Sequence, residues 1–150
     1  MANSNCQVLL TDAPLAVGSD ALPGEVGAIV DFWGVVRLSE GGDAISGIDY
    51  EAHRTMAEHQ LRAIAEEGMA RFELMQLQVL HRVGFVPVGE ASLLVRVCSR
   101  HRAEAFRACS WLVDELKQRV PIWKHPRFAP GTRRASAPEN AAVAASRSPA

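Results

Sequence analysis

The chain has 150 residues, 48% of them hydrophobic and 22% charged, and a net charge of −1. That length suits one domain burying roughly two-thirds of its unfolded surface, and no apolar run approaches a membrane span. The N-terminal stretch MANSNCQVLL lacks a basic region followed by a long apolar one, so the expectation is a cytoplasmic protein with no membrane contact.

CQVLL (6–10) reads as a strand ending at TDAP, and GSDALPGEVG as loop or one short helical turn. GAIVDFWGVVR (27–37) is β-rich, with Gly34 inside it marking a bulge or a close backbone approach. SEGGD reads as a loop. ISGIDYEAH (45–53) alternates Ile48, Tyr50 and Ala52 against Asp49, Glu51 and His53, as a half-buried strand does. From Arg54 to about Ala70 the period becomes helical, with Ala57, Leu61, Ile64 and Gly68 on one face. LMQLQVLHRVG (74–84) predicts a strand, PVGE (87–90) a turn within a hairpin around 84–90, and ASLLVRVC (91–98) a central strand. A second helix is predicted over Arg100–Arg119, N-capped by Ser99, its apolar repeat running Phe106, Cys109, Val113, Leu116, Val120. Pro121 ends it, and Lys124 is expected to follow a proline turn. Residues 1–128 form the expected domain; 129–150, rich in Ala, Ser, Pro and Arg, read as a disordered tail. This order of elements predicts a single compact α+β domain, a mixed antiparallel sheet with two main helices.

Charge is distributed unevenly. Residues 1–99 carry six basic against thirteen acidic side chains, whereas 100–134 carry nine basic against three acidic. A cationic final third on an acidic body suggests an anion site or an acidic partner. Nucleic acid is not expected, since no aromatic residues interleave with these charges. SRHRAE places Arg100, His101 and Arg102 at the positive end of a helix dipole, disfavoured unless an anion sits there or the side chains splay into solvent or pair with the acidic body. Lys117 and Lys124 are the only lysines, against fourteen arginines. A lysine amine can trade a proton where guanidinium effectively cannot, so the pair suggests chemistry; two solvated charges is the plain alternative. The five histidines show no metal-ligand spacing, and Cys6, Cys98 and Cys109 form no Cys-x-x-Cys pair and read as inert core. No metal and no cofactor is expected.

GAIVDFWGVVR, IDYEAHRTMA, HRVGFVPVGEASLLV, SRHRAEAF and DELKQRVPIWK, in that order over roughly residues 26–125, together resemble the large, catalytic subunit of molybdopterin synthase. The resemblance implies a fold of the α/β-hammerhead type. It also implies a sulfurtransferase of molybdenum cofactor biosynthesis that converts cyclic pyranopterin monophosphate into molybdopterin. Sulfur would come from the C-terminal Gly-Gly thiocarboxylate of a small ubiquitin-like subunit, within a heterotetramer built on a homodimer of large subunits.

By the same resemblance Lys117 and Lys124 are the catalytic amines. Val35, Val36, Arg37, His101, Arg102, both lysines, His125 and Pro126 fall at substrate-binding positions. Arg37, His101 and Arg102 would hold the phosphate and pterin, with Lys117 as general acid/base beside the thiocarboxylate. The chain departs from the family pattern at Arg100, usually a small residue, and at His53, commonly aromatic. It departs again at His125-Pro126, where a polar pair ending in glutamate is usual, and at Arg134, where tryptophan is expected. Two other readings stand beside the enzyme: a catalytically weak paralogue, and a non-catalytic binder of a phosphorylated heterocycle or an acidic protein tail.

Overall fold

The computed structural model describes residues 5–19 and 21–131; the expected tail beyond 131, and Arg134 with it, lies outside the described residues. In chain order the elements are β1 (Cys6–Thr11), β2 (Ala28–Val35), β3 (Ser39–Glu40), β4 (Asp43–Ala52), α1 (Arg54–Arg71), β5 (Gln76–Arg82), β6 (Gly84–Pro87), β7 (Ala91–Ser99), α2 (Arg102–Arg119) and β8 (Ile122–Phe128).

They make two sheets. The first has the order β1-β5-β7-β2, with β1 parallel to β5 and the other pairings antiparallel. β7 lies inside it, flanked by β5 and β2, which is why ASLLVRVC needs no polar alternation: Leu93, Leu94, Val95, Val97 and Cys98 are all buried. At its end β2 shifts register between Gly34 and Val35, the irregularity that the internal glycine predicts. α1 packs on β1 and β5, α2 on β7 and β2, and the helices pack on each other. Ala57, Leu61, Ile64, Ala65 and Gly68 of α1 and Ala105, Ala108, Cys109, Leu112, Val113 and Leu116 of α2 fill that layer.

The second sheet is built around β4, which pairs antiparallel with β3, β6 and β8. Gly47 of β4 lies where an added Cβ would come within 2.5 Å of the Phe85 ring and of the Val86 carbonyl oxygen. The close approach of β4 to β6 therefore requires glycine there.

Several local expectations change. SEGGD is a tight hairpin joining β3 to β4, with Gly41 and Gly42 both at positive φ (59° and 88°), as a two-residue turn of this kind requires. No hairpin forms around 84–90: β6 pairs with β4 in one sheet and β7 with β5 and β2 in the other, so the turn at Gly89 carries the chain between sheets. His53 is not strand but the N-cap of α1, its ring accepting from the Met56 amide. α2 starts at Arg102 with His101 as its N-cap residue, while the Ser99 hydroxyl donates to the His101 carbonyl. Phe106 is 61% exposed, and Ala105 takes the core position one residue earlier. The stretch after Pro121 is β8, not a turn; Pro126 is tolerated because β8 pairs only with β4 and so forms an edge.

β5 is buried at all seven positions despite Gln76, Gln78, His81 and Arg82. His81 Nδ1 lies 2.8 Å from the Arg82 carbonyl, while its Nε2 is buried with no partner. Burial, only partly opposed by that hydrogen bond, lowers the His81 pKa to about 4. The unfolded chain, with an ordinary histidine near 6.5, therefore binds more protons between these values, so stability falls as pH drops through that window. The full effect is about 3 kcal/mol, and His81→Leu should flatten the slope of unfolding free energy between pH 6.5 and 4 in urea titrations. Gly47→Ala should lose about 1–3 kcal/mol in the same assay.

Candidate active site

Four pieces of chain converge at one end of the molecule. β2 delivers Val35, and just past it come Val36 and Arg37. Val36 is fixed there because its amide donates to the Glu90 carbonyl and its own carbonyl accepts from the Gly89 amide. The β3–β4 hairpin presents Glu40. α2 places Lys117 in its last turn, where the helix dipole favours a cation. β8 then returns along β4, with Lys124 directly opposite Tyr50. Val35, Val36, Arg37, Glu40, Tyr50, Lys117 and Lys124 all line one cleft of about 380 Å³, with Phe32 and Trp33 along its wall.

The cleft is cationic with one carboxylate in it. The Lys124 ammonium, whose side chain is 14% exposed, lies 3.9 Å from Glu40 Oε1, and the Arg37 guanidinium lies 3.9 Å from Glu40 Oε2. Burial holds the Lys124 amine below the ordinary lysine range; Glu40 opposes that shift, while Arg37 and Lys117 add to it. The Tyr50 phenol is pushed up by burial and by Glu40, against a hydrogen bond with Ser92. The His81 ring meets Tyr50 edge-on at 5.5 Å between centroids. An amine eased toward its neutral form, beside a second lysine and a guanidinium, can bind an anion and pass a proton.

The sequence-assigned residues do not all meet here. His101 and Arg102 border a separate groove at the start of α2, with Gly27, Arg100 and Ala103. Arg102 and Lys117 are fifteen residues apart on one helix, roughly 22 Å along its axis. Within one copy His101 and Arg102 therefore open onto a different groove from the one that Arg37 and the lysines line. Arg100 pairs with Glu25 of the acidic body at 3.6 Å. His125 and Pro126 lie on β8 but outside the cleft, and His125 Nε2 sits 2.9 Å from Glu51. All three cysteines are buried and free, and burial pushes the Cys109 thiol up to about 11, which keeps it unreactive. Among the described residues no group of His, Cys, Asp or Glu could hold a metal.

Glu40 and Tyr50 enter the site without having been singled out. Tyr50 was visible only as one apolar member of an alternating strand, and Glu40 only as part of a glycine loop. The signal for Glu40 lay in that loop: a two-glycine turn returns the chain at once, which fixes where the residue before it points.

Comparison with known proteins gives the chain's relatives. Residues 10–119 match the family model for the MoaE protein. The chain is 40% identical over 100 residues to the molybdopterin synthase catalytic subunit of Thermoplasma volcanium, covering 67% of this chain and 73% of that one. It is 41% identical over 98 residues to the human molybdopterin synthase catalytic subunit and spans 52% of that protein's length. Among solved structures, molybdopterin synthase from Staphylococcus aureus superposes with a TM-score of 0.73 at 27% identity, covering 85% of this chain and 96% of that one. At 17% identity and a TM-score of 0.63, the same fold occurs in a complex of subunits 1 and 2 of molybdopterin-converting factor from Helicobacter pylori, with 90% and 92% of the two chains covered.

With only two lysines in the chain, a protein carrying ¹³Cε-lysine gives two side-chain signals. The Lys124 signal should titrate below the ordinary lysine value of 10.5. Lys117→Gln removes a like charge that disfavours the protonated amine, so it should move the Lys124 titration upward.

Proposed function

The chain belongs to the MoaE family, the molybdopterin synthase catalytic subunits, and from that premise we propose that it transfers sulfur to cyclic pyranopterin monophosphate, with Lys117 and Lys124 as the working amines. The observation that carries this reading is the convergence on one cleft of both lysines, from the end of α2 and from β8, with Arg37 from much earlier in the sequence, just past β2. The donor is the C-terminal thiocarboxylate of a small ubiquitin-like subunit whose tail enters that cleft. Its sulfur attacks an electrophilic carbon of the pterin side chain, forming a carbon–sulfur bond while a carbon–oxygen bond at that carbon breaks and the departing oxygen takes up a proton. Water then cleaves the acyl–sulfur bond, leaving a carboxylate on the tail and a thiolate on the product.

Each step places negative charge beside the cations. Arg37 binds anionic substrate at the exposed mouth. Lys117 exchanges the proton that the attack and the hydrolysis require, and Lys124 holds the developing charge from a position partly shielded from water. No helix among the described residues is long and apolar enough to cross a membrane, and we place the reaction in the cytoplasm. The division at residue 128 between a catalytic domain and a tail is part of the same reading.

The distance from His101 and Arg102 to the lysines favours a homodimer in which a second copy brings its helix start to the first copy's cleft. Two-fold symmetry then gives two equivalent composite sites.

Single-turnover conversion by the chain with a thiocarboxylated small subunit tests the chemistry. Lys117→Ala and Lys117→Arg should both lose at least about 100-fold in rate while keeping the wild-type circular dichroism. A Lys117→Arg protein that retains its rate sinks the proton-transfer role of that amine, and absence of conversion by the wild-type chain leaves a binding protein. Mixing Arg102→Ala with Lys117→Ala chains tests the dimer: random exchange restores about a quarter of the sites if they are composite, because half of the dimers then hold one intact site. Recovery at the level of the separate variants would assign both groups to one chain.

A further inference from the structure

Glu40 is out of place on two counts. It is the sole carboxylate among the residues lining a cleft that also presents Arg37, Lys117 and Lys124, a cleft that serves anions. On its own hairpin it stands directly opposite Asp43, a like-charge cross-strand pair that works against the hairpin. What offsets this is reach: its two oxygens lie 3.9 Å from Lys124 Nζ and 3.9 Å from the Arg37 guanidinium, so one carboxylate bridges both cations. Its side chain is 28% exposed and that of Arg37 80%, so the Arg37 contact faces water while the Lys124 contact is sheltered.

We propose that Glu40 is a built-in counter-anion of the lysine cleft: it neutralises Arg37 and Lys124 while the cleft is empty and gives way when an oxyanion ligand enters. The proposal rests on the reading of the cleft as an anion site, and on its chemistry only where turnover is used as a readout. A buried ammonium without a counter-charge is disfavoured, so an empty cleft needs a partner for Lys124. A ligand carrying a phosphate or a terminal carboxylate supplies the same charge, and must first displace the one already present. Its apparent affinity is lowered by the population in which Glu40 holds both cations. The two-glycine turn lets this happen locally, since Glu40 sits on a two-residue strand at the tip of a hairpin. Glu40 is thus a positioning residue, acting through Lys124. The charged and titratable groups around that amine are Glu40 from β3, Arg37 after β2, Lys117 from α2 and Tyr50 from β4.

The test is calorimetric titration of the full chain at low ionic strength with inorganic phosphate, and separately with a peptide ending in a free Gly-Gly carboxylate. Glu40→Gln and Glu40→Ser should bind at least one probe about three- to tenfold more tightly than wild type, as removal of a competing charge at this exposure predicts, while Glu40→Asp stays near wild type. Tightening for phosphate alone assigns the displacement to a phosphate ester, and tightening for the peptide alone to a partner's tail; either supports the proposal. In turnover, KM for the pterin phosphate should fall by a similar factor without a rise in kcat. The pH limb that reports Lys124 should move down in Glu40→Gln and hold in Glu40→Asp. Unchanged or weaker binding of both probes by folded Glu40→Gln and Glu40→Ser overturns the proposal, as does failure of every form to bind either probe. Absence of synthase activity from the wild-type chain, with the Glu40 effect on phosphate intact, would refute the sulfur-transfer reading and leave the counter-anion in place.

Discussion

The pairing of β8 with β4 is the constraint on which the site depends. α2 ends at Val120 because Pro121 follows, and its last turn leaves Lys117 at the rim of the first sheet. Nothing in that helix returns the chain to the same place. The return comes from seven residues that line up antiparallel with Ile45–Ala52, setting Lys124 opposite Tyr50 and Ile122 opposite Ala52. Ile122 is 2% exposed, so the start of β8 is anchored in the core while its later residues run out along the edge. The spacing between the lysines is therefore set by two stiff objects, a helix end and a strand register, and not by a loop. Precise placement of a proton-exchanging group needs such support.

A second tension runs through the interior. β5 threads four polar side chains through a fully buried strand, and each has found only part of what it wants. Gln78 accepts from the Gly18 amide at 3.4 Å, Gln76 from the Cys98 thiol at 3.8 Å, and Arg82 reaches Glu90 at 3.4 Å while its Nε is left unpaired. Strand β5 lies between β1 and β7, and its neighbour β7 is apolar at six of its nine positions. The segment preceding β2 crosses near this face, contributing the Gly18 contact. Polar groups here tie that covering segment to the sheet, a task that apolar side chains perform without directional preference.

Much of this architecture was legible in the sequence because it rests on local rules. The helical period of residues 54–70 and the apolar run 91–98 each have one physical solution, and both elements form where expected. What escaped was set by tertiary pairing. β8 contains Pro126, which argues against a strand unless one knows that it lies on an edge. β6 and β7 are separated by a turn that suggests a hairpin, and only the demand of β4 for a partner sends β6 to the other sheet. Phe106 fits the helical repeat as well as Ala105 does, but the close contact between α2 and the sheet admits the smaller residue. At the site, the rarity of lysine identified both amines. Glu40 and Tyr50 carried no such mark, because a carboxylate in a glycine turn and a tyrosine in an alternating strand are ordinary until the cleft is seen whole.

The lysine scarcity has a consequence outside catalysis. Most proteins of this size scatter amines over their surface, so reagents that acylate or crosslink them decorate the whole molecule. Here every side-chain amine opens onto a single cleft. Apart from the chain's own amino terminus, an ordinary amine-reactive dye or resin becomes a site-directed reagent, and the rest of the surface, carried on arginine, is invisible to it.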